Sequence, residues 1–140
     1  MHSVDEYNSI GSDIIGAAFD VRNNTGTGLR EKYYESALAY EIEQRGHNVK
    51  RQVMVPAVYK GKIIDDSYMA DIVVDDKIII EVKAIGTMKE VESRQLFTYL
   101  RLSNFKLGYL INFGAKEFRT GRIDEELPYR KGIYRIVNNL

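Results

Sequence analysis

Three charged residues sit inside otherwise apolar, β-rich runs. Asp71 lies in Met-Ala-Asp-Ile-Val-Val (69–74), and Glu81 and Lys83 lie in Lys-Ile-Ile-Ile-Glu-Val-Lys-Ala (77–84). Charges rarely occupy such runs without a partner or a metal. Glu81 and Lys83 are two apart, so on a strand both side chains leave the same face. Asp71 joins them only if the hairpin register permits. Pairing Asp71 with Glu81 also pairs Val74 with Ile78 and leaves Asp75, Asp76 and Lys77 as a three-residue loop. A two-residue loop would turn Asp71 to the opposite face. The chemistry therefore predicts the odd-numbered loop.

With that register two carboxylates converge beside an amine. Carboxylate oxygens with open positions suit a hard cation, Mg²⁺ or Mn²⁺. The backbone carbonyl of Val82 could complete the metal shell. Such an ion lowers the pKa of a bound water and clamps a phosphate oxygen. Lys83 could orient that water or stabilise charge developing on the phosphate oxygens. This is the minimal equipment for in-line hydrolysis of a phosphodiester. The plain alternative is sheet decoration, since cross-strand Glu–Lys pairs are common and a D…E-x-K pattern arises by chance in many proteins. Gln95 and Tyr99 fall four apart on one face of a following helix. Gln95 could hydrogen-bond a water or a phosphate and Tyr99 could contact substrate, or the pair belongs to an ordinary amphipathic helix with Tyr99 in the core.

The elements that must position these residues follow from periodicity. Ser3 and Glu6 form a capping-box pattern, and apolar residues from Val4 to Phe19 recur at helical spacing. That helix is expected to stop near Val21, with Asn23 to Gly28 as a loop. A second helix is expected from about Leu29 to Arg45, with Gly46 just past its end. Glu31, Tyr34, Glu35, Leu38 and Ile42 share one of its faces. Glu31 is then either a partly inward carboxylate needing a partner or a first-turn acid favoured by the helix dipole. Val49 to Tyr59 reads as a strand, with Pro56 marking an edge or a bulge. Strands at 69–74 and 77–84, a helix from about Lys89 to Leu102, a buried strand from Leu107 to Phe113 and a short strand from Ile133 to Val137 complete the pattern. Lys116 to Lys131 is polar and unassigned. The order α-α-β-β-β-α-β predicts an α/β (α+β) domain with a mixed central sheet of about four strands flanked by helices.

Composition narrows the function classes. At 140 residues the chain is expected to form one domain. It has no Cys and two His, which excludes disulfides, thiolate metal sites and a Cys nucleophile and speaks against a multi-His zinc site. Lys plus Arg balances Asp plus Glu at 20 each, so a globally basic nucleic-acid surface is excluded while a local patch is not. No run approaches the ~18–20 apolar residues of a membrane span. The acidic start, with Asp5, Glu6 and Asp13, lacks the pattern of a signal peptide. No membrane partner is expected, and a cytoplasmic location is.

Gly28-Leu-Arg-Glu31-Lys-Tyr-Tyr34 resembles the signature of the GxxExxY proteins, with Gly28, Glu31 and Tyr34 as the named positions. The resemblance continues through Ala37–Glu41, Arg45-Gly46, Gln52, Ala70-Asp71, Glu81–Ala84, Gln95-Leu96, Tyr99–Leu102 and Leu110–Gly114, from about Ile10 to Val137. That family is similar to the PD-(D/E)XK nuclease superfamily, whose core is a mixed four-stranded sheet between helices. The resemblance implies that Asp71 and Glu81 are metal-binding acids and Lys83 the catalytic lysine. It also implies that Glu31 supports the metal site and that Gln95 and Tyr99 form a Q-x-x-x-Y pair. Arg22 stands where members often have His, and Ala70 where the superfamily has Pro. The expected function is thus Mg-dependent hydrolysis of nucleic acid, DNA first, with Tyr99, Arg94 and Arg101 as substrate contacts. The alternative is a non-catalytic nucleic-acid-binding or protein-interaction module on the same fold. A nuclease this small often needs a second copy to embrace a duplex, so a homodimer is one arrangement its size suggests.

Overall fold

The computed structural model describes residues 3–65, 68–123 and 129–140. Helix α1 (Val4–Thr25) starts where Ser3 accepts a hydrogen bond from the Glu6 backbone N–H at 3.1 Å. It runs four residues past the expected stop. Asn24 and Thr25 bond back to the carbonyls of Asp20 and Val21, and the chain leaves the helix at Gly26, whose φ of 68° ends the α-helical run. Helix α2 (Glu31–Gln44) ends before Gly46, where φ is 90°. Together α1 and α2 bury Ile10, Ile14, Leu38 and Ile42 against one face of the sheet.

Strands β1 (Val49–Met54), β4 (Met69–Val74) and β5 (Ile78–Lys83) lie side by side and antiparallel. The single strand expected over 49–59 is two. Pro56, which cannot donate to a ladder, follows the end of β1, and β2 (Ala57–Tyr59) pairs instead with β3 (Lys62–Asp65) as a separate two-stranded hairpin. Helix α3 (Glu90–Ser103) then crosses over, and β6 (Leu107–Asn112) returns parallel to β5. β6 is buried along its whole length, as a strand covered on both faces must be. The unassigned polar stretch contains β7 (Glu117–Gly121); residues 124–128 of that stretch lie outside the described residues. The last strand, β8 (Lys131–Val137), is longer than expected and inserts between β6 and β7. Among the described residues the sheet is therefore mixed and six-stranded, ordered β1-β4-β5-β6-β8-β7, where about four strands were expected.

α3 covers the opposite face, packing Leu96 and Leu100 with Val73, Ile79 and Leu110. No helix of the described residues is long and apolar enough to cross a membrane. His47 ties α1 to the hairpin loop, with its ring nitrogens 2.7 Å from Asp13 and 2.7 Å from Asp75.

Candidate active site

The hairpin loop has the expected parity. Val74 pairs with Ile78, Val73 with Ile79 and Ile72 with Ile80, while Asp75 and Asp76 take left-handed φ of 53° and 55°. Asp is among the few side chains that visit this region readily. One step further along this register Asp71 meets Glu81. There the Asp71 side chain takes over from the backbone ladder, and Oδ2 accepts the Val82 N–H at 2.8 Å. The Asp71 and Glu81 carboxyls lie within hydrogen-bond reach of each other, and the Lys83 ammonium attracts both Glu81 and Glu31.

The ionisation of Glu81 records this crowding. Burial first, then the facing Asp71 charge, pushes its carboxyl up to about 8, against opposition from the Tyr68 hydroxyl and the Lys83 ammonium. Tyr68 donates a hydrogen bond to Glu81 Oε1. Burial and the Glu81 charge raise the Tyr68 hydroxyl well above its ordinary range. The Tyr68 ring in turn stacks on Tyr99, centroids 3.8 Å apart.

Glu31 opens α2 at the mouth of this site. Its side chain is solvent-accessible, yet enough protein crowds it that desolvation raises its carboxyl, with Lys83 pulling down and Asp71 and Glu35 pushing up. The glycine and tyrosine of the same signature build the loop that delivers it. Gly28 has a φ of 98°. The fully buried Tyr34 donates to the Gly26 carbonyl at 2.7 Å, accepts from the Leu29 N–H at 3.3 Å and stacks on Phe113. Arg22 lies over the Phe118 ring at 5.0 Å.

Asp71 separates two recesses. Towards α2, Glu31, Glu35, Arg51 and Gln52 line a polar cavity of about 610 Å³. Gln52 Nε2 bridges Glu35 at 2.8 Å and Asp71 at 3.3 Å. It does so from a left-handed backbone, φ 51°, a conformation a glutamine holds only where its surroundings impose it. Towards α3, Glu81 and Lys83 share a narrow recess with Tyr68, Glu92 and Gln95.

The predicted residues thus divide. Asp71, Glu81, Lys83 and Gln95 gather at the end of β5, with Glu31 at the rim. Tyr99 reaches the acids through Tyr68, and its hydroxyl donates to Asp65 at 3.3 Å. Arg94 pairs with Glu90 beside a neighbouring cleft, and Arg101 lies over Phe97, 5.8 Å from the ring centroid, and lines neither recess. The Val82 side chain is core and its N–H is engaged by Asp71. Sequence reasoning gave no role to Tyr68, Glu35 or Gln52. A buried glutamate on the core face of α2 was a readable signal for Glu35, and the matching block at Gln52 for its neighbour; nothing marked Tyr68.

The donors fit a hard divalent cation in kind. They are carboxylate oxygens, and burial together with the Asp71 charge holds the Glu81 carboxyl protonated near neutrality despite Lys83, a proton that a bound divalent cation would displace. Among the described residues no group of three or more acidic or His side chains is arranged to hold an ion alone. That suits Mg²⁺, which typically takes one or two carboxylates and fills its remaining positions with water and substrate oxygens.

A model of the PD-(D/E)XK nuclease superfamily matches residues 8–123. The chain belongs to this superfamily. No curated protein and no solved structure matches it. Membership supports a nuclease-like function with nucleic acid as the substrate class, and nucleases of this superfamily generally use divalent metals.

Proposed function

We propose that this chain is a GxxExxY-type, Mg²⁺- or Mn²⁺-dependent deoxyribonuclease formed by one domain over residues 1–140. The observation that carries the reading is the meeting of the Asp71 and Glu81 carboxyls beside Lys83 at the end of β5. Asp71, Glu81 and the Val82 carbonyl would hold the cation. When bound, it supplies Lewis acidity to a phosphate oxygen and makes water a competent nucleophile near neutral pH.

The chain's own residues do the rest. Lys83 holds a positive charge next to Glu81, where it balances charge developing on the phosphate as water attacks phosphorus and the ester P–O bond breaks. Gln95, on the wall facing Glu81, offers a carboxamide to orient the attacking water or a phosphate oxygen. Glu31, its carboxyl raised by its surroundings, stands ready to accept a proton at the rim. Tyr68 fixes the Glu81 carboxyl through its hydroxyl. Arg94 and Tyr99 flank the approach from α3.

The test is cleavage of a mixture of single- and double-stranded DNA with Mg²⁺ or Mn²⁺. Lys83→Ala and Asp71→Ala should each lower the rate by about 100-fold or more, the usual scale for losing a group that stabilises transition-state charge. Absence of cleavage across DNA and RNA forms, with no metal bound in titration, would leave a non-catalytic module.

A further inference from the structure

Beside the acidic recess, the β2–β3 hairpin and α3 enclose a cleft of about 580 Å³. Its walls are mainly apolar. Val58, Tyr59 and Ile64 come from the hairpin, and Val91, Tyr99 and Leu102 from the helix. Three of these are far out in solvent, with Tyr59 and Val91 60% exposed and Ile64 66% exposed. Such a contiguous apolar surface marks a binding site more often than chance, and the volume falls in the ~300–1,000 Å³ range of small-ligand sites.

Two features connect the cleft to the acids. Gln95 lines both it and the recess of Glu81 and Lys83. Tyr99, in the cleft wall, stacks on Tyr68, which holds Glu81. Whatever sits in the cleft is therefore next to the scissile position of the proposed nuclease. Basic groups lie on the two elements that form the cleft. The Lys60 ammonium lies 5.4 Å from the centre of the Tyr59 ring and the Arg101 guanidinium 5.8 Å from that of Phe97, while Arg94 borders the cleft itself.

We infer that this cleft seats an unpaired base of a single DNA strand, so that the substrate is single-stranded or locally opened DNA. The identity of the ligand rests on the nuclease reading; the cleft does not. A base inside a duplex hides its faces in the stack and offers only its edges, and apolar walls reward faces. The zero net charge points the same way. With no global positive field to hold the phosphates, stacking on aromatic and apolar side chains carries more of the affinity, with a few nearby cations tracking the backbone.

The test is binding of the full chain, in chelator so that nothing is cut, to a labelled single DNA strand and to the duplex of the same sequence. A 2-aminopurine in the strand reports base seating. The single strand should bind at least about tenfold tighter than the duplex. Tyr59→Ala, at an exposed position, should weaken single-strand binding at least about fivefold, the scale of one lost stacking contact; Ile64→Asp, also exposed, removes an apolar wall and adds a negative charge beside the phosphates and should weaken it at least as much, and both should abolish the 2-aminopurine signal. Equal or tighter duplex binding, or variants that bind like the parent, overturns the inference. So does light scattering that shows a dimer which Ile64→Asp splits, because the cleft is then covered by a second copy. Single-strand binding without metal-dependent cleavage removes the nuclease reading and leaves the cleft standing. Cleavage indifferent to Ile64→Asp does the reverse.

Discussion

Glu81 costs the fold stability that its chemistry needs. Its carboxyl ionises near 4.5 in an unfolded chain but near 8 here, chiefly through burial and then through Asp71. Between these values the unfolded state is the more deprotonated, so folding takes up a proton and stability falls as pH rises through the window. Glu81→Gln keeps an acceptor for the Tyr68 hydroxyl and removes the titration. In chelator, urea unfolding should find the variant level with the parent below about pH 4.5 and more stable by at least ~1 kcal/mol above about pH 8, since a tenfold change in proton affinity between folded and unfolded chain is worth about 1.4 kcal/mol. A difference that does not grow with pH would mean that Glu81 is not buried against Asp71. The acids and the lysine were legible because a charge inside an apolar strand is conspicuous and loop parity is countable. Tyr68 was not, because a tyrosine just ahead of a strand obeys no period. The resemblance marked Gln52, but not its left-handed backbone, because nothing in a glutamine announces one.

At the level of elements, Asn112 holds the end of β5 where Lys83 emerges. It is fully buried at the end of β6. Its Oδ1 accepts from the Ile85 N–H at 2.9 Å and the Gly114 N–H at 3.1 Å, and its Nδ2 donates to the Ile85 carbonyl at 2.9 Å. These bonds continue the parallel β5–β6 pairing after the regular ladder stops at Lys83 and Asn112. Asn112→Ala removes all three and strands backbone groups, each costing ~1–3 kcal/mol when left unpaired. Thermal unfolding should show a loss of about 3 kcal/mol or more, and amide exchange at Ile85 should rise above that of the sheet centre. Unchanged exchange at Ile85 would show that the bonds do not hold the strand end. The strand itself was readable as a wholly apolar run; the work of its polar last residue was not. Other element boundaries failed for local reasons. Pro56 does mark an edge strand and a register shift at Ala57/Val58, as expected, but it also divides the run in two; polar side chains bonding back to carbonyls carry α1 beyond its apolar stripe, and β7 is too exposed to alternate.

Across the whole molecule, two helical layers meet at the acidic end of the sheet, α2 bringing Glu31 and α3 bringing Gln95 to β4 and β5. The zero net charge of the chain hides this local imbalance, which composition alone could not locate. A folded chain that gathers carboxylates gains stability from any cation bound there, because the unfolded chain disperses the same groups. At a Mg²⁺ concentration ten times its dissociation constant the linkage stabilises by roughly 1.4 kcal/mol, which for a domain of this size is a rise in Tm of about 3–6 °C. Asp71→Asn should lose most of that rise. Lys83→Ala should keep or enlarge it, since removing the ammonium leaves the carboxylates and their mutual repulsion in place. Scanning calorimetry of the parent and both variants, with and without Mg²⁺, reads this without any reference to cleavage. Equal shifts in the parent and Asp71→Asn would place the cation elsewhere on the surface, because a site that does not need Asp71 is not the one where β4 and β5 meet.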